Sequence, residues 1–110
     1  MPHVAAFFRG ISLTIAFELD GATTVDELHK LFKTAYADEA RIKVSGDIPQ
    51  VSGIQNCPDA HIGGFNVDER NPRRGSMVVV LDNLLKGAAS QAMQNLNLAL
   101  GLDENSGVVP

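Results

Sequence analysis

Cys57 and His61 are the pair whose chemistry is most readily named, since an ionised thiol is a nucleophile and an imidazole nearby is the base that would ionise it. Their four-residue spacing brings them together on a helical turn, but Pro58 and the loop composition around it (Gly46, Pro49, Gly53) argue against a helix there. Cys57 therefore reads as a loop cysteine. As zinc ligands the two fall two short of a closed structural site, so neither a metal site nor a catalytic residue is assigned. His29 lies one position off the apolar stripe of its helix and reads as a surface residue.

Arg9 is a better candidate. Placed directly after Phe7 and Phe8, its guanidinium is expected to be held in one position, where its planar fork suits a phosphate or a carboxylate. An ion pair to a segment of the protein outside this chain is the equal alternative. Asn83, Lys86 and Gly87 open the helix of the stretch VVVLDNLLKGAASQAMQNLNLALG. There an asparagine can cap and still offer its amide, a lysine can neutralise a phosphate, and a glycine permits close approach to the free N–H groups of the first turn.

The elements that must position these residues follow from periodicity. Ile11 to Leu19 alternates apolar and polar, the pattern of a half-buried antiparallel strand. Thr24 with Glu27 forms a capping box for a helix from Val25 to about Tyr36, whose stripe is Val25, Leu28, Leu31, Phe32 and Ala35. Arg41 to Val44 is a short strand, and Ser45 to Pro58 is mainly loop with room for one extended piece around Val51. Ile62 to Val67 is a strand whose glycines allow close backbone approach, and the continuous apolar run Ser76 to Leu81 implies a strand buried on both faces.

In the last helix Leu85, Ala88, Ala89, Ala92, Met93, Leu96, Ala99 and Leu100 make the expected core stripe, with Asp82 or Asn83 as the cap. Gly87, Ser90, Gln91, Gln94, Asn95 and Asn97 lie opposite, an uncharged amide face that local pattern reads first as a plain helix-packing face and otherwise as one covered by another subunit, domain or ligand. Met1 to Gly10 is an irregular or extended lead-in, and its Val4, Phe7 and Phe8 are apolar enough to be buried against further chain. The expected fold class is α+β: a mixed, mostly antiparallel sheet with helices on one face.

Bulk properties remove several function classes. A chain of 110 residues is one domain, and a net charge of -4 gives no field for nucleic acid. Arg70, Arg73 and Arg74 sit beside Asp68 and Glu69 and read as a solvated turn. No apolar run reaches the ~18 residues of a membrane span. A single cysteine excludes an internal disulfide framework and suits a reducing compartment. No glycine-rich phosphate loop follows a strand.

Four blocks, PHVAAFFRGISLT from Pro2, YADE from Tyr36, IGGFNVDE from Ile62 and VLDNLLKGAASQAMQNLNLALG from Val80, resemble N-acetyl-gamma-glutamyl-phosphate reductase, in its fungal-like form. The resemblance implies a glyceraldehyde-3-phosphate dehydrogenase-like C-terminal domain, with residues 1–110 as a single substrate and dimerisation domain lacking the N-terminal Rossmann domain. It implies NADP as cofactor, an acyl-phosphate substrate in arginine biosynthesis, and a homo-oligomer without nucleic acid or membrane. The family's nucleophilic cysteine, general acid/base and nucleotide loop have no counterpart here, so the chain alone is expected to be inactive. Arg9 and His3 become candidate substrate-binding residues. Asn83, Lys86 and Gly87 become candidate cofactor-binding residues, Asn83 toward the nicotinamide, with the amide face closing on the absent domain. The compartment is the mitochondrial matrix for a fungal form and the cytoplasm otherwise. Two alternatives stand beside this reading: a non-catalytic dimerisation module, and a fragment of an aspartate-semialdehyde dehydrogenase, which shares the N-L-x-K-G-A-A segment.

Overall fold

A computed structural model describes residues 1–3 and 5–108; Val4, part of the expected apolar lead-in, lies outside the described residues. The strands are β1 (Pro2–His3), β2 (Ile11–Glu18), β3 (Ile42–Val44), β4 (Ala60–Val67) and β5 (Arg74–Leu81), and the α-helices are α1 (Val25–Ala35) and α2 (Ser90–Ala99). The strands form one sheet in the order β1-β2-β5-β4-β3, antiparallel except for the β3–β4 pair. This is the expected mixed, mostly antiparallel α+β layer. Both β4 and β5 begin two residues before the expected starts at Ile62 and Ser76, and the extended piece expected around Val51 is instead a 3-10 turn over Val51–Gly53. A single turn suffices there because Ile54 drops into the interior, fully buried.

Helix α1 starts as its sequence dictates. Thr24 accepts a hydrogen bond from the Glu27 N–H and the Glu27 carboxylate accepts one from the Thr24 N–H, completing the capping box. Its buried line is narrower than the expected stripe. Leu28 is buried and, with Ile62 and Phe65, forms a core against which Phe32, Tyr36, Met77 and Val79 pack. Leu31 is 61% exposed and Val25 42%. The helix meets the sheet along the i, i+4 row of Leu28, Phe32 and Tyr36, and that row carries His29 inward too. The His29 ring lies 5.9 Å from that of Phe65, a half-buried packing residue rather than the surface one expected.

Because α1 covers only the β4–β3 half of its face, Leu13 and Ile15 of β2 stay half-buried. The molecule is 18 Å along its shortest axis, about one sheet and one layer of helix. On the opposite face the loop that follows β3 crosses the sheet. A Cβ on Gly63 would run into the Asp47 carbonyl, and Gly64, at φ +62, sits in a bulge where two residues of β4 oppose one of β5. These are the close approaches expected of this pair of glycines.

The last helix departs most from expectation. It opens as a π-helical turn over Leu85–Ala89 before becoming α2, and the cap is Asp82, whose Oδ1 accepts from the N–H groups of Leu84 (2.8 Å) and Leu85 (3.1 Å). The core stripe is inverted. Met93, Leu96 and Leu100 are 41%, 54% and 63% exposed, whereas Ser90, Gln94 and Asn97 are buried. The cause is chain reversal at Gly101 (φ +70), which folds Leu102 to Val108 back over the amide side. Asn97 Nδ2 donates to the carbonyls of Glu104 (2.9 Å) and Ser106 (2.8 Å), so the returning backbone finds its donors in helix side chains. The same chain, not another domain, therefore covers Ser90, Gln94 and Asn97, while Gln91 and Asn95 bond each other at the surface.

Asn97→Ala strands two carbonyls at once. It is expected to cost about 2 kcal/mol and to speed amide exchange at Val108, and unchanged Val108 protection would refute the clasp.

Candidate functional site

The start of β2 and the end of β5 are neighbours through the Ile11–Leu81 pairing, which brings Arg9 to Asp82 and Gly10 to Asn83. Arg9 Nη2 donates to Asp82 Oδ1 at 2.8 Å and Nη1 to Asn56 Oδ1 at 2.9 Å. Nε lies 2.7 Å from Asp82 Oδ2, but its N–H is not directed at that oxygen, so this contact is an ion pair without a second aligned hydrogen bond. Asn56 adopts a left-handed backbone (φ 62) that turns its own N–H onto Asp82 Oδ2 at 2.8 Å. Gln55 Nε2 holds the Arg9 carbonyl at 2.9 Å.

Asp82 is completely buried. Burial pushes its carboxyl up, but the Arg9 guanidinium and the N–H donors of Asn56, Leu84 and Leu85 outweigh that and lower it to about 2. The expectation of a positioned Arg9 is met by a partner inside the chain. Two of its five N–H donors are spent on Asn56 and Asp82, which leaves one N–H on each Nη.

His3, Arg9 and Asn83 share one shallow depression with Phe7 and Phe8. The His3 ring bonds the Thr14 hydroxyl at 2.7 Å, and Phe8 is 90% exposed. Asn83 Oδ1 accepts from the Gly10 N–H at 2.8 Å, leaving its Nδ2 group to donate. Lys86 turns elsewhere. Its amine donates to Gln94 Oε1 at 2.7 Å, and burial lowers its pKa against the opposing pull of Glu104, Glu39 and Asp59. Gly87 is exposed, and a Cβ there would lie 3.1 Å from Leu81 Cδ1. Three of the five candidates thus meet, and Lys86 and Gly87 stand apart.

Lys86 belongs to a second polar cluster that sequence reading does not single out. Gln94 Nε2 reaches Glu104 (3.0 Å), and Arg41 bridges Asn105 Oδ1 (3.3 Å) and Asp59 Oδ1 (3.2 Å). No local pattern links Arg41 with Asp59. The visible signal is a charged residue at each of two strand entries, and those entries become neighbours only through parallel pairing. Cys57 and His61 do come together, through a bend at Pro58 rather than a helix, with Asp59 between them.

Residues 1–83 match the family model for the semialdehyde dehydrogenase dimerisation domain. The chain is 51% identical over 104 residues to N-acetyl-gamma-glutamyl-phosphate reductase of Stenotrophomonas maltophilia, covering 94% of this chain and 32% of that protein. It is 45% identical over 108 residues to "Protein arg-6, mitochondrial" of Neurospora crassa, covering 98% of this chain and 12% of that protein. The chain therefore spans a third or less of the length of these curated relatives. Its fold is similar to a probable aspartate-semialdehyde dehydrogenase of Pseudomonas aeruginosa, with a TM-score of 0.73 at 22% identity, over 84% of this chain and 28% of that one.

Proposed function

Because the chain belongs to the semialdehyde dehydrogenase dimerisation-domain family, we propose that it serves as the C-terminal, substrate-side and dimerisation portion of an NADP-dependent N-acetyl-gamma-glutamyl-phosphate reductase. The carrying observation is 51% identity to a reductase of that name across 94% of the chain. The reaction reduces N-acetyl-glutamyl phosphate to the semialdehyde, in arginine biosynthesis. The nucleophilic thiol and the nucleotide loop would come from the part of the longer relatives that this chain does not span.

On this reading Arg9 and His3 hold the substrate. The Asp82 ion pair cancels much of the Arg9 charge, so Arg9 acts through the direction of its remaining N–H groups more than through long-range attraction. NADPH would supply the hydride. The residues present fit only the edge of such a cofactor: Asn83, exposed and with Nδ2 unspent, offers an amide donor, Gly87 leaves the neighbouring surface open, and Lys86 supplies charge from its bond to Gln94. The assembly would be a homo-oligomer, located in the mitochondrial matrix if the chain is fungal, a reading supported by the word mitochondrial in the names of two fungal relatives, and in the cytoplasm otherwise.

The test is reconstitution. Joined to a matching N-terminal part, the chain should support phosphate-dependent oxidation of N-acetylglutamate semialdehyde with NADP. A well-folded reconstitution that stays inactive sinks the reading, and one that accepts only aspartate semialdehyde moves the chain to the aspartate enzymes.

A further inference from the structure

We infer that Cys57, Asp59 and His61 form a binding site for one divalent transition-metal ion of the zinc class. Their ligating atoms, a thiol sulfur, a carboxylate oxygen and a ring nitrogen, all lie within 4.8 Å of one another. Ligands around one tetrahedral zinc, at bond lengths of about 2.0–2.3 Å, stand roughly 3.4–3.6 Å apart. Side-chain rotation of about an ångström closes the set, leaving a fourth position for water, the arrangement of an open three-ligand site.

The backbone explains the convergence. The chain bends at Pro58 before β4 begins at Ala60, and the bend returns the Cys57 side chain toward those of Asp59 and His61. The entry is fixed by the Cys57 N–H bond to the Ile54 carbonyl (3.0 Å), by the buried Pro58, and by the pairing of His61 with Lys43 on β3 and Val80 on β5. Arg41, itself held by Asn105, takes Asp59 Oδ1 and leaves Oδ2 to ligate, the supporting bond that orients a carboxylate ligand. Among the described residues, none bonds the Cys57 thiol or the His61 ring, although both are half-buried. Binding transfers the thiol proton to solvent. Thiolate and carboxylate then balance the charge of the ion, so the loaded site sits beside Arg41 without net repulsion.

The test is titration of the reduced, metal-free chain with Co²⁺. Cys57 is the only cysteine, so a thiolate-to-cobalt charge-transfer absorption can come from no other residue. The expected result is one equivalent bound, displaced by Zn²⁺, with the absorption abolished by Cys57→Ser and the affinity lowered about tenfold or more by either Asp59→Asn or His61→Ala. His3→Ala should leave the cobalt absorption and affinity unchanged. Far-UV circular dichroism reports whether each variant folds. Zn²⁺ should also slow alkylation of Cys57 in the unaltered chain, a readout that needs no variant. Absence of the absorption, absence of protection, or an affinity indifferent to either the Asp59 or the His61 substitution overturns the three-donor site.

Discussion

Asp82→Ala is expected to destabilise the fold by about 3–5 kcal/mol, read as a lowered denaturant midpoint, because it leaves the Arg9 guanidinium without its counter-charge in a largely buried setting. The same substitution strips three backbone N–H groups, those of Asn56, Leu84 and Leu85, of their acceptor. Loop, strand and helix entry are all tied to this one carboxylate, so the loss falls on the whole β2–β5 end. A midpoint equal to that of the unaltered chain would refute this account.

The carboxylate also sets an acid limit. Its folded pKa, about 2, lies below the ordinary 3.8. Its contribution is therefore complete above the unfolded value and is lost as pH falls through the folded one. Between about pH 4 and pH 2 the unaltered chain should lose roughly 2 kcal/mol more stability than Asp82→Asn, which has no proton to take up there. Parallel pH profiles for the two chains would show the assignment to be wrong.

Leu28→Ala is expected to cost about 2–5 kcal/mol, through lost transfer energy and the cavity left between α1 and β4. Leu28 is 2% exposed and joins Ile62 and Phe65 in the small core that holds the helix to the sheet. Leu31→Ala, one turn along and 61% exposed, should stay within about 0.5 kcal/mol. Equal losses at the two positions would mean that α1 buries the wider stripe.

That contrast shows how far the sequence carries. Strand alternation from Ile11, the Thr24–Glu27 box and the apolar run before Leu81 are local signals, and each element stands where they put it. Which side of an amphipathic helix is covered is not local. The apolar stripe of α2 was the natural core by hydrophobicity, but the interior goes to Gln94 and Asn97 because the chain beyond Gly101 returns with unpaired carbonyls that amides can satisfy. The site divides in the same way. Arg9 stood out by its neighbours Phe7 and Phe8, and Asp82 as a helix cap, yet their pairing spans most of the chain and leaves no trace in either neighbourhood. In sequence, proximity of Cys57 and His61 calls for a helical turn, whereas in the fold a bend at Pro58 achieves it with Asp59 between them.

The strand order has a kinetic consequence. β2 and β3 are consecutive strands, yet β5 and β4, made later, lie between them. As the chain emerges in sequence, β2 can pair with β1, but α1 and β3 have no sheet to join until residues beyond Ala60 arrive, and β2 gains its other partner only from Arg74 onward. Late insertion of the β4–β5 hairpin between two waiting halves, a high-contact-order event during which the apolar side of α1 stays open to water, is the slow step this topology predicts.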